Sequence, residues 1–314
     1  LTLWLISFGH HFWALMIAFV IQYPASGAFV SVSQAALMDH DPPRREHNMA
    51  RWTFAGSVGV VAGPLSLGAL MAAGGAWREL FAAFGVVTFA LAGAAFRHRF
   101  PNHRYTPDEH SASAAPEGDP AALTFRDGLR NALRALRRRD VLRWIALLQF
   151  SDLMLDVLYG FLALYFVDVV GLSATQASLA VAVWTGVGLL GDFLIIPLLE
   201  RVSGLAYLRV SAVLVLALFP AFLLAPWFGV KLALLGALGL LNAGWYAILM
   251  AQLYAAMPGQ SGTALAVNNV GGLFGSLIPL GLGAAAQSAG LGAAMWLLLA
   301  GPLALMAGLP RHVE

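Results

Sequence analysis

Cysteine is absent from the sequence, which excludes disulfides, thiolate metal sites and cysteine nucleophiles. Charge is scarce as well. Only 11% of the residues are Asp, Glu, Lys or Arg, under half of the roughly 25% found in soluble domains. The net charge of +2 is too small to imply a nucleic-acid partner. No GxxxxGKS-type phosphate loop occurs, so a built-in ATP motor has no support. The opening stretch "LTLWLISFG" has little of a signal peptide, with neither its basic start nor its cleavage site.

What remains is apolar. Hydrophobic residues make up 60% of the chain and the mean hydropathy is +0.76. Apolar runs of 18 or more residues recur from end to end, each able to cross a hydrocarbon core of about 30 Å. The 33 glycines and 15 prolines lie partly inside these runs, as membrane helices tolerate. Reading runs against breaks predicts nine complete spans, at residues 13–36, 50–73, 78–97, 141–168, 174–199, 205–226, 229–256, 261–285 and 289–309. An all-α, polytopic membrane protein is therefore expected.

Charge placement orients it. Of the 18 Lys and Arg residues, all but Arg78 and Lys231 fall in alternate breaks of one parity, the side that positive charge marks as cytoplasmic. Residues 1–9 then read as the outer end of a helix that begins in the cytoplasm, as in a fragment lacking its first spans. Trp13, Trp52, Trp77, Trp144 and Trp227 lie near span ends, where interfacial aromatics are expected. Residues 98–140 form the one long hydrophilic stretch. Asp119 and Pro120 are placed to open a helix there. Phe125, Leu129, Leu133 and Leu136 would share an apolar stripe beside Arg126, Arg130, Arg134 and Arg137, predicting a helix lying on the membrane surface.

Two parts of the chain look alike. "GVVAGPLSLG" places Gly59, Gly63, Pro64 and Gly68 as "GGLFGSLIPLGLG" places Gly271, Gly275, Pro279 and Gly283. Glycines four apart let a neighbouring helix approach closely. The preceding segments, "SVSQAALMD" and "LMAQLYAAMP", also correspond loosely, and repeated halves joined by a cytoplasmic loop are a transporter architecture. "GVVAGPLSLG" resembles the fifth-helix motif GxxxGPxxGG of the major facilitator superfamily, with Leu67 in place of one glycine. "LLERVSGLAYLR" resembles a degraded copy of that family's GxLaDRxGRR motif, with Glu200 and Arg201 for its Asp-Arg pair. "IQYPASG" lacks the fourth-helix arginine of proton-linked drug antiporters, with Gln22 and Tyr23 in that region. The resemblance implies a two-bundle fold beginning near the end of the third helix. Residues 1–97 would be the remnant of the N-terminal bundle, 98–140 the linker and 141–314 the six-helix C-terminal bundle. It also implies that helices four, seven and ten line a central cavity.

Polar residues inside the spans cluster on those three helices. Gln149, Asp152, Asp156 and Tyr159 would fall within about 80° of arc if the span is a regular helix. Gln22, Ser26 and Ser33 share a face of 13–36, and Asn242, Trp245, Tyr246 and Gln252 a broader one of 229–256. Asp152 lies near mid-membrane, where an aspartate costs roughly 2.5–3.5 kcal/mol to insert. It either pairs with a cation outside these spans, sits protonated, or faces water and binds a cation or proton. Carboxylates at i and i+4 repel when both are ionised, so the pair would titrate as a unit, as a proton carrier does.

Other polar groups are assigned as follows. Asp192 is expected to bond to a helix terminus or the nearby loop, and Asp168 to be interfacial. Asn268 and Asn269 either satisfy backbone groups or face the cavity. His10 and His11 read as solvated surface, and Asp39, His40, Asp41 and His47 as gating contacts rather than a metal site. The expectation is a secondary transporter of a small organic solute, for efflux or sugar-like uptake, with protons as the candidate coupling ion. It would be a monomer in the bacterial cytoplasmic membrane, linker and C-terminus inside, partnered by lipid and solute, with no cofactor, metal or catalytic residue. The alternatives are a non-transporting receptor or assembly protein and, with less support, a membrane-embedded transferase. The transferase would need a catalytic constellation near an interface, whereas the acids here are deep and no complete span contains a histidine.

Overall fold

A computed structural model describes residues 1–97 and 125–310. Regular structure among them is helical throughout, with nine helical stretches long and apolar enough to cross a membrane. These run Phe12–His40, Pro42–Ala72, Trp77–Arg97, Arg139–Val169, Ala174–Leu198, Gly204–Leu224, Phe228–Ala255, Ser261–Ala289 and Leu291–Gly308. They match the sequence expectation span for span.

The individual helices are α1 (Thr2–Phe8), α2 (Phe12–His40), α3 (Arg45–Ala72), α4 (Trp77–Arg97), α5 (Phe125–Ala135) and α6 (Arg139–Asp152). Then come α7 (Leu158–Leu164), α8 (Ala174–Leu198), α9 (Gly204–Leu224), α10 (Phe228–Asn242) and α11 (Trp245–Ala255). The last are α12 (Ser261–Gly275), α13 (Leu277–Ala289), α14 (Leu291–Met295) and α15 (Ala300–Gly308). Four spans are interrupted: Ser261–Ala289 breaks at Ser276 between α12 and α13, Leu291–Gly308 carries a 3-10 turn at Trp296–Leu299, and the two earlier in the chain are broken in ways no composition signals. The Arg139–Val169 span carries π-helical turns at Leu153–Val157 and Tyr165–Val169. The Phe228–Ala255 span breaks between α10 and α11, where Gly244 adopts φ +76°.

The described residues form two compact units. In the first, residues 1–36 and 59–97, α1 lies along α4. Trp4 Nε1 donates to the Ala82 carbonyl at 3.2 Å and its ring stacks on Phe89, over the bare Cα of Gly85. Ser7 and Arg78 tie the helix ends together, Ser7 Oγ donating to the Arg78 carbonyl and Arg78 Nη2 to that of Gly9.

The second unit comprises residues 37–58 and 125–310. Its core runs through α6–α11 and α15, with Met154, Phe166, Phe219, Phe222, Trp245 and Tyr254 nearly or fully buried. Small residues set its closest helix contacts. Gly239 of α10 meets the Trp184 carbonyl of α8, Gly191 of α8 meets Leu240 and Ala243, and Gly301 of α15 meets the Phe150 carbonyl. Ser173 and Gln176 form a capping box at the start of α8, satisfying backbone donors the helix leaves free.

Lys231 is not a loop charge. It is buried in α10, where Nζ donates to the Phe222 and Leu223 carbonyls at 2.8 and 3.0 Å and to Tyr165 Oη at 2.9 Å. A cation suits that position because it meets the negative end of α9.

The linker helix exists as α5, but its packed face differs from the expected stripe. Ala132 and Ala135 are buried while Leu133 is about half exposed, because α5 lies against α12 and small side chains allow close approach. The proposed cap at Asp119 and Pro120 lies outside the described residues. Trp144, near the start of its span, is buried against the bundle.

Candidate functional site

The aspartate pair sits at a backbone irregularity, Asp152 just before a π-turn and Asp156 inside it. α6 ends at Asp152, the π-turn occupies Leu153–Val157, and α7 begins at Leu158. A π-turn closes i→i+5 bonds and so holds one residue more than an α-turn. Residues on its two sides are thereby rotated apart by about one residue, or roughly 100°. Gln149, Asp152, Asp156 and Tyr159 accordingly do not form the single stripe that regular helical spacing predicts. Gln149 and Asp152 are half-buried, whereas Asp156 and Tyr159 are exposed. The Asp152 carboxylate lies against the backbone N–H of Asp156, and among the described residues no cation pairs with either acid; the ion pair present, Arg138–Asp140, is a helical end away.

Gln149 lies across Gly275 of α12. A Cβ on Gly275 would overlap the Gln149 amide, and one on Gly271 would meet Ile145. The α12 glycines are thus the floor on which Gln149 rests.

The second interrupted span reaches the first. Asn242, the last residue of α10, donates from Nδ2 to the Met154 carbonyl at 3.1 Å, joining the α10–α11 break to the π-turn. Its Oδ1 is buried without a partner. Asn242 and Trp245 are nearly or fully buried, and Trp245 donates to Ser211 Oγ of α9 at 2.9 Å. The broad cavity face expected of this span is therefore reduced: the break turns these two side chains into the bundle and leaves Tyr246 half-buried. Gln252 is drawn instead to Glu46, donating to Oε1 at 2.7 Å.

Glu46 organises the end of the second unit that the charge pattern makes cytoplasmic. Its Oε2 also accepts from the Gly204 backbone N–H at 3.2 Å, at the start of α9, where a carboxylate is favoured by unpaired N–H groups. Beside it, Ser261 Oγ donates to Asp39 Oδ2 at 2.5 Å. Glu46 was missed in the sequence because nothing local distinguishes it from a solvated turn acid.

A scan against family models matches residues 1–279 to the Major Facilitator Superfamily. The chain belongs to that family. No curated protein matches significantly. Among solved structures, a variant of the Escherichia coli fucose:proton symporter FucP superposes with a TM-score of 0.75 at 13% identity, covering 98% of this chain and 78% of that one. A second FucP structure, described as in the outward conformation, gives 0.69 at 16% identity, covering 97% and 77%. The two-bundle transporter fold is thereby shown. A Major Facilitator Superfamily protein is a transporter and not an enzyme, which removes the transferase reading.

The family's motif residues occupy unequal settings here. Among the described residues nothing lies within 4 Å of a Cβ added at Gly59, Gly63 or Gly68. Pro64 lies within the unbroken α3. Glu200 and Arg201 are exposed in the turn before α9 and make no ion pair among the described residues; Glu46 supplies the acid at this helix start.

In the first unit, Gln22 accepts from Thr2 Oγ1, while Tyr23 and Ser26 are exposed. On α12, Asn268 is half-buried and Asn269 exposed. Asp168, expected at the interface, lines an open cavity of about 440 Å³ with Phe161, Gly283 and Gln287. Asp192 takes the role foreseen for it: its carboxylate faces the N–H of Gly244, ahead of α11, and accepts from Ser57 Oγ at 2.5 Å. Among the described residues no group of three or more His, Cys, Asp or Glu is placed to hold a metal.

Proposed function

We propose that this transporter moves a small, hydroxyl-rich, sugar-like solute together with protons, and that Asp152 and Asp156 carry the coupling. One observation carries the residue assignment: deep in an apolar span one carboxylate, Asp152, precedes a π-turn and a second, Asp156, lies within it, both partly exposed and neither paired with a cation among the described residues. A deep acid that is neither neutralised nor fully packed is a proton-relay group by default. Irregular backbone at membrane depth is tolerated where it is buried in protein or lines a water-filled cavity. The solute class is supported by the likeness to a fucose:proton symporter, and by Gln149, Tyr159, Tyr246, Asn268 and Asn269, which offer hydroxyl partners. Gln22, Tyr23 and Ser26 are the polar candidates of the first unit. Glu200 and Arg201 remain candidates for the cytoplasmic gate, with Gly59, Gly63, Pro64 and Gly68 for helix sliding. The arginine distribution supports a bacterial cytoplasmic membrane protein with the linker and C-terminus inside.

Fucose uptake into proteoliposomes under an inward proton gradient tests this. Asp152→Asn and Asp156→Asn should each lower proton-driven accumulation at least tenfold and leave fucose counterflow intact. Normal uptake with unchanged pH dependence in both variants removes the acids from coupling.

A further inference from the structure

The second π-turn of the Arg139–Val169 span, at Tyr165–Val169, has a packed side and an open one. On the packed side Tyr165 and Phe166 are buried. Lys231 Nζ holds Tyr165 Oη at 2.9 Å, and the Phe166 ring lies 6.0 Å from those of Phe222 and Phe228. Beyond the turn, Gly171 takes φ +76°, a conformation that favours glycine, and the Leu172 N–H closes back on the Phe166 carbonyl at 3.0 Å. The bundle thereby fixes the turn. A π-turn holds one residue more than an α-turn, so it carries Asp168 further round from Tyr165 than α-helical spacing would. On the open side Asp168 and Val169 line the cavity of about 440 Å³, together with Phe161, Leu164, Gln287 and Leu291.

The cavity's size, walls and charge point to one ligand chemistry. It falls within the roughly 300–1,000 Å³ usual for small-molecule sites, which are mostly apolar with a few placed polar groups. Here the walls offer the Phe161 ring and the side chains of Leu164, Val169 and Leu291. The polar groups are the Asp168 carboxylate and the Gln287 amide, neither of which has a hydrogen bond or ion pair among the described residues. Lys231, tied to the same turn, does not neutralise Asp168. An ammonium has three donors, and these go to Tyr165, Phe222 and Leu223. An unpaired carboxylate on an apolar wall complements a cation with an apolar body. Its ammonium would meet Asp168 and the Gln287 amide oxygen, and a ring would pack on Phe161.

We propose that this cavity binds a small arylalkylammonium ion, at a site distinct from the coupling acids. Asp168 stands roughly 18 Å beyond Asp156 at 1.5 Å per helical residue, at the end of the span that the charge pattern makes external. The carboxylate selects a cation over a neutral molecule of the same shape, and Gln287 adds a second acceptor. Nothing in the proposal depends on which solute the protein carries.

The chain has no cysteine, so Leu164→Cys places a single thiol in the cavity wall. Ser288→Cys places one at an exposed position outside that lining. Each is modified with methyl methanethiosulfonate in phosphatidylglycerol nanodiscs, whose lipid carries no ammonium. Phenethylammonium should slow modification at position 164 at least fivefold and leave position 288 unchanged, whereas neutral phenethyl alcohol should protect neither. Asp168→Asn, added to Leu164→Cys, should raise the half-protecting concentration of the ammonium at least fivefold. Equal protection by the alcohol reduces the cavity to an apolar groove and overturns the proposal. So does protection that survives Asp168→Asn undiminished, or a thiol at position 164 that the ammonium never protects. Slow modification in phosphatidylethanolamine nanodiscs with no added amine assigns the cavity to a lipid headgroup instead, and overturns the proposal too.

Discussion

Two glycines illustrate how differently a methyl group is received in this protein. At Gly301 the added Cβ would stand 2.7 Å from the Phe150 carbonyl, a backbone atom that cannot rotate away. Gly301→Ala should therefore destabilise the α6–α15 contact by about 1–3 kcal/mol, the usual cost of overpacking, read as a lower midpoint of thermal unfolding in detergent. At Gly275 the obstruction is the end of the Gln149 side chain, which has other rotamers. Gly275→Ala should leave the midpoint within a few degrees yet displace Gln149, raising KM for fucose severalfold with little change in maximal rate. An unchanged KM would mean that Gln149 does not touch solute. The residue types of this site were readable from sequence, because a carboxylate or amide in an apolar run is conspicuous. Their common facing was not. It assumed one period along residues 149–159, and the π-turn at Leu153–Val157 that changes the period involves ordinary side chains and leaves no mark in composition.

The spans themselves were readable, since length and hydropathy determine what crosses a bilayer and every backbone group must be satisfied within it. Interruptions inside them were not, apart from the hint of Asn242 and Gly244 together in an otherwise apolar run. It is at those interruptions that the elements couple. The bond from Asn242 Nδ2 to the Met154 carbonyl connects the α10–α11 break to the π-turn that contains Asp156. Removing the donor strands a buried carbonyl, at a cost of about 1–3 kcal/mol. Asn242→Ala should thus lower the unfolding midpoint and speed amide exchange at 153–158 and 243–247 together. Faster exchange at 243–247 alone would show that the two breaks behave independently. Trp245 stands at the same break and was expected in the cavity; the αL turn at Gly244 instead aims it at Ser211, a direction that a straight helix could not give.

For the whole molecule, orientation follows from the placement of charge. Breaks of one parity hold all the Lys and Arg residues except Arg78 and Lys231, and both exceptions are engaged locally: Arg78 bonds to the Gly9 carbonyl and Lys231 to the end of α9. Neither is therefore a free positive charge that could pull its loop inward. The insertion bias then rests on arginines at turns such as Arg44 and Arg201, both exposed, and points the same way at every break. Single cysteines introduced into the cysteine-free chain make this measurable in intact cells. Ala73→Cys and Ser288→Cys, both at exposed positions, should react with a membrane-impermeant maleimide from outside. Arg44→Cys and Arg201→Cys should react only after permeabilisation. Complete reversal would mean the charge rule misorients the protein. A split result within either pair would instead refute the order of spans between the positions: the one between Arg44 and Ala73 or the three between Ala73 and Arg201 if Ala73 fails, and the three between Arg201 and the end of the span that holds Ser288 if Ser288 does.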